Sequence, residues 1–372
     1  MIVGILVNDL NAMGGCEIVT IRLQNLLRRH NIKTVLCSLK GCNDIEAISI
    51  HARSGNYHIN HRTINKMIEL IVKHHIQIML VQVNGLMSPI FSPRLLSAIS
   101  DFCQVYCLIH NSPASFTKYY KSYGDISKGL GWLKRQKCVW FNIPFCKKRV
   151  DKIKAYNCNF LTLSAASQKE LKKYYDLDSQ IVMNALPHFE TVADIDKKKR
   201  TVVYVGRIDN YQKNITGLIE AWKMCDTKRW ELLIIGDGAD RKKVEKYVSK
   251  CNLNNIKFLG QLDEKMVLDI LCTVKVLVLS SNYEGFPTVF WEAMACKCAI
   301  VSTRFDGFPD DIMVDGINCK VCENCVVALA DTLAEVLTNE EILKQLALSG
   351  YKTWLENDEG LIWNKWKQIL KL

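Results

Sequence analysis

The sequence predicts an α/β protein made of two doubly wound, Rossmann-like domains. Short apolar runs that suit buried parallel strands alternate with helix-like stretches along most of the 372 residues. Hydrophobic residues make up 49% of the chain, which is enough for two buried cores. The hydrophilic stretch 187–200 is predicted to link domains 1–186 and 201–352, and a further helical segment is expected at 353–372.

The predicted strands are apolar runs that end at loops with glycine or polar residues. In the first domain they are Ile2–Val7, Thr34–Ser38, Ile76–Val83, Val105–Ile109, Phe160–Ser164 and Gln180–Asn184. In the second domain they are Thr201–Val205, Glu231–Ile235, Lys275–Leu279 and Ala299–Thr303. Open parallel sheets bind ligands at the carboxyl ends of their strands, so the residues that follow these runs are the functional candidates.

The composition indicates a cytoplasmic protein without a membrane-spanning segment. No apolar run approaches the ~20 residues that cross a bilayer, and no basic stretch precedes the first apolar run. Sixteen cysteines without a secretion signal fit a reducing compartment. Cys319, Cys322 and Cys325 have the spacing of a metal motif, but the fourth cysteine of such a motif does not follow them, so no metal site is predicted.

The stretch Ser281–Ala295 contains two acidic residues, Glu284 and Glu292, eight positions apart. It follows a buried strand, and Pro287 is well placed to open a helix. A helix N-terminus can bind phosphate oxygens through its free N–H groups, while carboxylates accept hydrogen bonds from hydroxyls. The combination suits a nucleotide sugar, although in a chain with 38 acidic residues this spacing also arises by chance.

Two cations, Arg207 and Lys213, flank a strand-to-helix loop that starts at Gly206. Both could reach the edge of the sheet, where a diphosphate needs positive charge, above all when it is a leaving group. The alternative for either residue is simple solvation at the surface.

Glycines and one histidine mark three other loops. Gly236 and Gly238 follow the second strand of the second domain, but the full dinucleotide fingerprint is absent. Gly14 and Gly15 would let the backbone pass close to a ligand at the start of the first helix, or simply form a turn. His110 follows a strand directly and should lie at the carboxyl edge of the first sheet, either facing a ligand or forming a structural hydrogen bond.

Five phrases of the chain resemble motifs of the retaining glycosyltransferases of family 4, which have the GT-B fold. EGFPTVFWEAMA resembles their E-x7-E signature, GGCE resembles GGAE, VMNALP resembles VIPNG, VGRIDNYQKN resembles the VGRL…KG loop, and FDGFPDD resembles the GGIPE segment. The chain departs from these motifs at Cys16, Ala185, Asn214 and Asp306.

This resemblance implies two sheets that face a central cleft, a helix at the end of the chain that returns to the first domain, and a role for each candidate. Glu284 would face the donor sugar, Glu292 the ribose, and His110 the donor sugar or the acceptor. The backbone of Gly285, Phe286, Pro287, Thr288 and Val289 would hold the β-phosphate, Arg207 and Lys213 the diphosphate, and Gly14, Gly15, Gly206, Gly236 and Gly238 would line the nucleotide-sugar site. Catalysis would rest on Glu284, His110, Arg207 and Lys213, with neither metal nor cofactor. The donor would be a UDP-sugar first, with GDP- and ADP-sugars as alternatives.

The expected function is therefore transfer of a hexose-type sugar to a hydroxyl, with retention, in the assembly of a polysaccharide or a lipid-linked glycan. Two alternatives stay open: a nucleotide-sugar 2-epimerase on the same fold, and a non-catalytic partner that binds nucleotide sugars.

The segment 117–156 is basic and aromatic, with eleven lysines or arginines against two acids. Its aromatic residues favour the boundary between lipid headgroups and acyl chains, and no nucleic-acid-binding module accompanies them. We therefore expect it to contact the anionic inner face of the cytoplasmic membrane. A solvated insertion with buried aromatics is the alternative.

Overall fold

The computed structural model describes residues 1–12, 14–40, 47–50, 59–116, 138–186 and 193–372. These residues form two compact units. The first unit holds the described residues up to Leu186 together with Glu359–Leu372, and the second holds those from Ala193 to Asp358.

The first unit contains a seven-stranded parallel sheet with the order β3-β2-β1-β4-β5-β6-β7. Its strands are β1 (Ile2–Val7), β2 (Lys33–Ser38), β3 (Ala47–Ser49), β4 (Ile78–Val83), β5 (Gln104–Ile109), β6 (Cys158–Thr162) and β7 (Gln180–Ile181). Its helices are α1 (Gly15–Arg29), α2 (His61–Lys73), α3 (Pro93–Ser100), α4 (Ile143–Lys154) and α5 (Ala165–Tyr175). The edge strand β3 was missed because three partly exposed residues carry no apolar pattern.

The second unit contains a six-stranded parallel sheet with the order β10-β9-β8-β11-β12-β13. Its strands are β8 (Lys199–Val205), β9 (Glu231–Ile235), β10 (Ile256–Gly260), β11 (Val274–Leu279), β12 (Ala299–Thr303) and β13 (Lys320–Cys322). Its helices are α6 (Asn210–Lys213), α7 (Ile215–Met224), α8 (Arg241–Lys250), α9 (Glu264–Leu271), α10 (Thr288–Ala295), α11 (Val326–Thr338) and α12 (Glu340–Glu356).

The predicted fold class, two parallel-sheet α/β units, is confirmed by these two sheets. The central strands read as continuous apolar runs because helices cover both faces; every residue of β4 is buried, for example. Residues 187–192 of the expected linker lie outside the described residues, and β8 already begins at Lys199.

The last helix, α13 (Glu359–Leu370), belongs to the first unit. The Tyr106 hydroxyl on β5 donates to the carbonyl of Ile369 at 2.8 Å. The His30 ring stacks on Trp363, with ring centroids 3.9 Å apart. Burial of Ile362, Trp366, Ile369 and Leu370 adds an apolar face, so the helix is anchored by packing as well as by hydrogen bonds.

None of the described helices combines the length and the apolar character needed to cross a bilayer.

Candidate functional site

The strand order of the second sheet reverses between β8 and β11. From β8 the chain continues through β9 and β10 on one side, while β11, β12 and β13 lie on the other side. Such a switch point leaves a crevice at the carboxyl ends of the two central strands, where open α/β sheets bind ligands. The loop after β8 carries Arg207 and Lys213, and the loop after β11 carries Glu284, so the sheet order brings these candidates to one place.

The loop after β8 is shaped by a helix cap and a left-handed residue. The Asp209 carboxylate caps the short helix α6 by accepting the N–H groups of Tyr211 at 2.9 Å and Gln212 at 3.2 Å. Asn214 separates α6 from α7 at φ 50° and ψ 45°, a conformation that asparagine adopts more readily than most residues. Asparagine can therefore occupy the position where the resembling motif has glycine. Gly217 leaves room for the asparagine side chain, because a Cβ on Gly217 would lie 2.5 Å from the Asn214 side-chain nitrogen.

Glu284 is the centre of a buried polar network, with 5% of its surface exposed. One carboxylate oxygen forms an ion pair with Lys213 and accepts the Ser281 hydroxyl at 2.7 Å. The other oxygen accepts the side-chain N–H of Gln212 at 3.3 Å. These donors hold the carboxylate in one place beside a cation that is itself mostly buried.

Gln212 also reaches Arg207, whose guanidinium Nη2 donates to the glutamine Oε1 at 2.8 Å. The Arg207 side chain is 63% exposed, and its Nε lies 4.0 Å from a carboxylate oxygen of Asp209. The guanidinium is therefore open to solvent, where it suits an anionic ligand. Sequence reasoning missed Gln212 and Ser281 because neither has charge or a periodic pattern. The only signal was their position beside Lys213 and three residues before Glu284.

The Glu284 loop is held by hydrogen bonds to the loop after β12 and to Asn324. The N–H of Glu284 donates to the carbonyl of Asp306 at 3.1 Å, and the N–H of Asp306 donates back to Asn282 at 3.1 Å. Asn324 adds hydrogen bonds to the carbonyl of Ser281 at 3.3 Å and to the side chain of Asn282 at 3.1 Å. Asp306, a departure from the resembling motif, thus supports this loop through its backbone, which any residue except proline provides.

Helix α10 follows this loop and packs against α12 and β12. Pro287 is its N-cap residue rather than its first residue, and Gly285 and Phe286 precede it as buried loop residues. Thr288 is partly exposed at the N-terminus, whereas Val289 is buried. A helix end of this kind offers free N–H groups and a positive dipole end to an anion.

Glu292 lies one turn into α10 and is 6% exposed. Phe286 stacks on Trp291 with ring centroids 5.3 Å apart, which fixes the entry to the helix. Both predicted glutamates therefore belong to one rigid loop-and-helix element.

The two glycines after β9 have a packing role in the structure. A Cβ on Gly236 would lie 2.0 Å from the carbonyl oxygen of Gly206, and a Cβ on Gly238 would lie 2.3 Å from that of Ile208. The N–H of Ile208 also donates to the carbonyl of Asp237 at 2.9 Å. Only glycine permits this approach, and the approach holds the loop that carries Arg207.

The carboxyl edge of the first sheet is neutral at the end of β5. His110, after β5, is 8% exposed and donates through Nε2 to the Gln82 side-chain oxygen at 2.7 Å. Burial lowers the His110 pKa from 6.5 to about 4, so the ring is neutral at physiological pH.

Gly14 is the N-cap of α1, and its N–H donates to the Glu17 carboxylate at 3.0 Å. The final glutamate of the GGCE phrase therefore supplies one half of a capping box, since Gly14 has no side chain to return the hydrogen bond, and Gly15 starts the helix.

Part of the basic segment lies within the described residues, while 117–137 lies outside them. Trp140 is 71% exposed and Phe141 69% exposed, and Lys147 and Lys148 on α4 are exposed as well. Arg149, another cation of the segment, does not add to this exposed surface. It is buried and donates to the carbonyls of Ser88 at 3.0 Å, Met87 at 3.4 Å and Phe91.

Among the described residues, no group of three His, Cys, Asp or Glu side chains is arranged to hold a metal ion. Cys319 and Cys322 are buried around β13, and the exposed Cys325 caps α11 by accepting the Ala328 N–H at 3.4 Å.

Sequence comparison connects the second unit with a known family. Residues 188–353 match the sequence profile of Glycosyl transferases group 1. An uncharacterised glycosyltransferase of Methanocaldococcus jannaschii is 36% identical over 140 residues, which are 37% of this chain and 39% of the relative.

Two longer matches come from bacterial enzymes. The amylovoran biosynthesis glycosyltransferase AmsD of Erwinia amylovora is 27% identical over 61% of this chain and 64% of its own length. An α-1,4-N-acetyl-D-galactosaminyltransferase of Campylobacter jejuni, named for a diphosphoundecaprenol-linked substrate, is 26% identical over 57% of this chain and 60% of its own length. The chain thus spans less than two thirds of each of these relatives.

Solved structures share the whole fold. The sucrose-phosphate synthase of Thermosynechococcus elongatus superposes with a TM-score of 0.78 at 17% identity, covering 100% of this chain and 98% of its own. The pneumococcal O-GlcNAc transferase GtfA, solved with UDP and GlcNAc, gives 0.72 at 10% identity over 100% and 98% of the chains. Anabaena HepE, solved with UDP and glucose, gives 0.69 at 15% identity over 99% of each.

The fold is therefore that of the GT-B glycosyltransferases. Within it, residues 188–353 carry the group 1 sequence pattern.

Proposed function

We propose that the protein is a retaining glycosyltransferase that moves a hexose-type sugar from a nucleoside diphosphate to a hydroxyl. The observation that carries this proposal is the network at the switch point of the second sheet, where Arg207, Lys213 and Glu284 are held together. Two cations for a diphosphate and a fixed carboxylate for sugar hydroxyls are the groups that a nucleotide sugar requires.

In this proposal Arg207 and Lys213 bind the diphosphate, and the N-terminus of α10 binds the β-phosphate. Glu284 orients the donor sugar, and Glu292 accepts hydrogen bonds from the ribose hydroxyls. Lys213 is paired with Glu284 in the structure, so the arriving diphosphate would share this cation with the carboxylate.

The transfer breaks the bond between the anomeric carbon and the phosphate oxygen and forms a bond from that carbon to the acceptor oxygen. For retention, the acceptor attacks from the side that the phosphate leaves, and a phosphate oxygen takes the acceptor proton. Arg207, Lys213 and the helix N-terminus stabilise the charge that develops on the leaving diphosphate. These groups supply positive charge without a metal, so we expect activity to persist in EDTA.

UDP-sugars are the first donors to test, because two structures of the same fold are described with UDP. GDP- and ADP-sugars are the alternatives. A glycan or lipid-linked glycan is the proposed acceptor, supported by the names of the Erwinia and Campylobacter relatives.

A binding and turnover panel of UDP-, GDP- and ADP-sugars tests the proposal. We expect one nucleotide class to bind, and the matching sugar to appear on an acceptor. Conversion of a free UDP-sugar to its 2-epimer would instead support the epimerase, and tight binding without turnover on any acceptor would support a non-catalytic partner.

We further propose that Trp140, Phe141, Lys147 and Lys148 dock on an anionic membrane, where the acceptor lipid would be found, at its cytoplasmic face. The exposed aromatics fit the headgroup boundary, and each exposed cation contributes about 1 kcal/mol near an anionic surface.

Vesicle binding tests this surface. Lys147→Glu/Lys148→Glu and Trp140→Ser/Phe141→Ser should each weaken co-sedimentation with phosphatidylglycerol vesicles by about tenfold or more. The matched control, Lys169→Glu/Lys173→Glu on α5, makes the same charge change on another exposed face and should bind normally. Equal binding to phosphatidylcholine vesicles, or equal loss in the control, would contradict the proposal.

A further inference from the structure

One buried side chain connects the two halves of the charged network. Gln212 is 4% exposed; its Oε1 accepts from Arg207 at 2.8 Å and its Nε2 donates to Glu284 at 3.3 Å. The same Nε2 lies 3.3 Å from the carbonyl oxygen of Tyr283, and the Gln212 carbonyl accepts the Asn282 N–H at 2.7 Å.

The two ends of an amide are chemically different, and here both are used. The oxygen can face only a donor, which is the guanidinium, and the nitrogen can face only acceptors, which are the carboxylate and the Tyr283 carbonyl. A glutamate of the same size would keep the contact with Arg207 but would place a second carboxylate against Glu284. A methionine of similar size would lose both contacts.

We propose that Gln212 is a positioning residue for sugar transfer, one that sets the Arg207 guanidinium and the Glu284 carboxylate relative to each other. This inference rests on the proposed function, because it assigns Gln212 to the same site. Gln212 acts through its two partners, which would touch the diphosphate and the donor sugar. The distance between those two groups matters because the bond that breaks lies between the sugar and the phosphate.

The isosteric change Gln212→Glu gives a signature that a purely structural residue would not give. Two adjacent carboxylates repel each other, which raises the pKa for uptake of one proton by the pair. That shared proton then restores a hydrogen-bond donor towards Glu284. The turnover number should therefore fall about ten- to a hundredfold at neutral pH and recover towards wild type as the pH is lowered from about 8 to about 5.

Gln212→Met is the matched control for pH. Its turnover number should fall by a similar factor and should not recover at low pH. Its donor KM should rise because Arg207 loses its acceptor. Thermal unfolding at each pH verifies that both variants stay folded.

The outcomes separate the two claims. An active wild type together with a Gln212→Glu profile parallel to wild type, or a Gln212→Met variant as active as wild type, would overturn the positioning role alone. A wild type that transfers sugar from none of the nucleotide donors would overturn both.

Discussion

The carboxyl edge of the second sheet, at β8 and β11, and that of the first sheet, at β5, carry opposite kinds of side chain. At the second sheet Arg207, Lys213 and Glu284 form a charged network whose members fix one another. At the first sheet His110 donates to Gln82, and burial keeps the ring neutral. Charged groups suit a diphosphate, whereas neutral polar groups suit hydroxyls, so under the proposed function the donor diphosphate would bind at the second unit and a sugar or acceptor hydroxyl at the first.

The largest effect should come from the carboxylate at the centre of the charged edge. Glu284→Gln keeps the size of the side chain but removes its charge, and a group that acts in the transition state lowers the turnover number, here by about a hundred- to a thousandfold. Glu292→Gln should instead act mainly on the donor KM, because a ribose contact is the same in ground and transition states. Steady-state kinetics with varied donor separates the two. Equal small effects on the turnover number and the donor KM in both variants would show that both carboxylates have only a structural role.

A smaller effect is expected from the two cations. Arg207→Ala and Lys213→Ala each remove a charge-assisted contact worth about 1.5–3 kcal/mol, which corresponds to about ten- to a hundredfold in donor binding or rate. Calorimetric titration with UDP and the active nucleotide sugar measures the loss.

Lys198→Met is the control for these variants, since Lys198 is a buried lysine of the same unit that donates to the carbonyls of Leu271 at 2.8 Å and Val274 at 2.7 Å. It should lower stability and leave the donor affinity of the folded protein unchanged. Unchanged affinity and turnover in both Arg207→Ala and Lys213→Ala would contradict the diphosphate site.

The two edges also differ in how far the sequence predicted them. Apolar runs and glycine-bearing loops predicted the parallel sheets, whereas the order of the strands became visible only in the structure, because alternation with helices allows several orders. The resemblance placed Lys213 and Glu284 at one site, and the adjacency of β8 and β11 brings them together. Gln212 could not be inferred, because its role depends on a side-chain direction that only the folded loop fixes. Gly236 and Gly238 were predicted to line the ligand site, and their tight packing on the Arg207 loop became visible only from interatomic distances.

The smallest expected effect tests the neutral edge through pH. The His110 pKa is about 4 in the folded protein against 6.5 for an unperturbed histidine, so the unfolded chain binds the proton more readily. The stability that neutral His110 contributes is fully present above pH 6.5 and is lost as the pH falls towards 4. The loss amounts to about 2 kcal/mol by about pH 5. In urea unfolding, the free energy of unfolding of His110→Gln should therefore fall by about 2 kcal/mol less than that of wild type when the pH is lowered from about 7 to about 5. His61→Gln, at an exposed histidine on α2, is the matched control and should follow wild type. If His110→Gln also follows wild type, the histidine is not held neutral, and the contrast between a charged and a neutral edge fails.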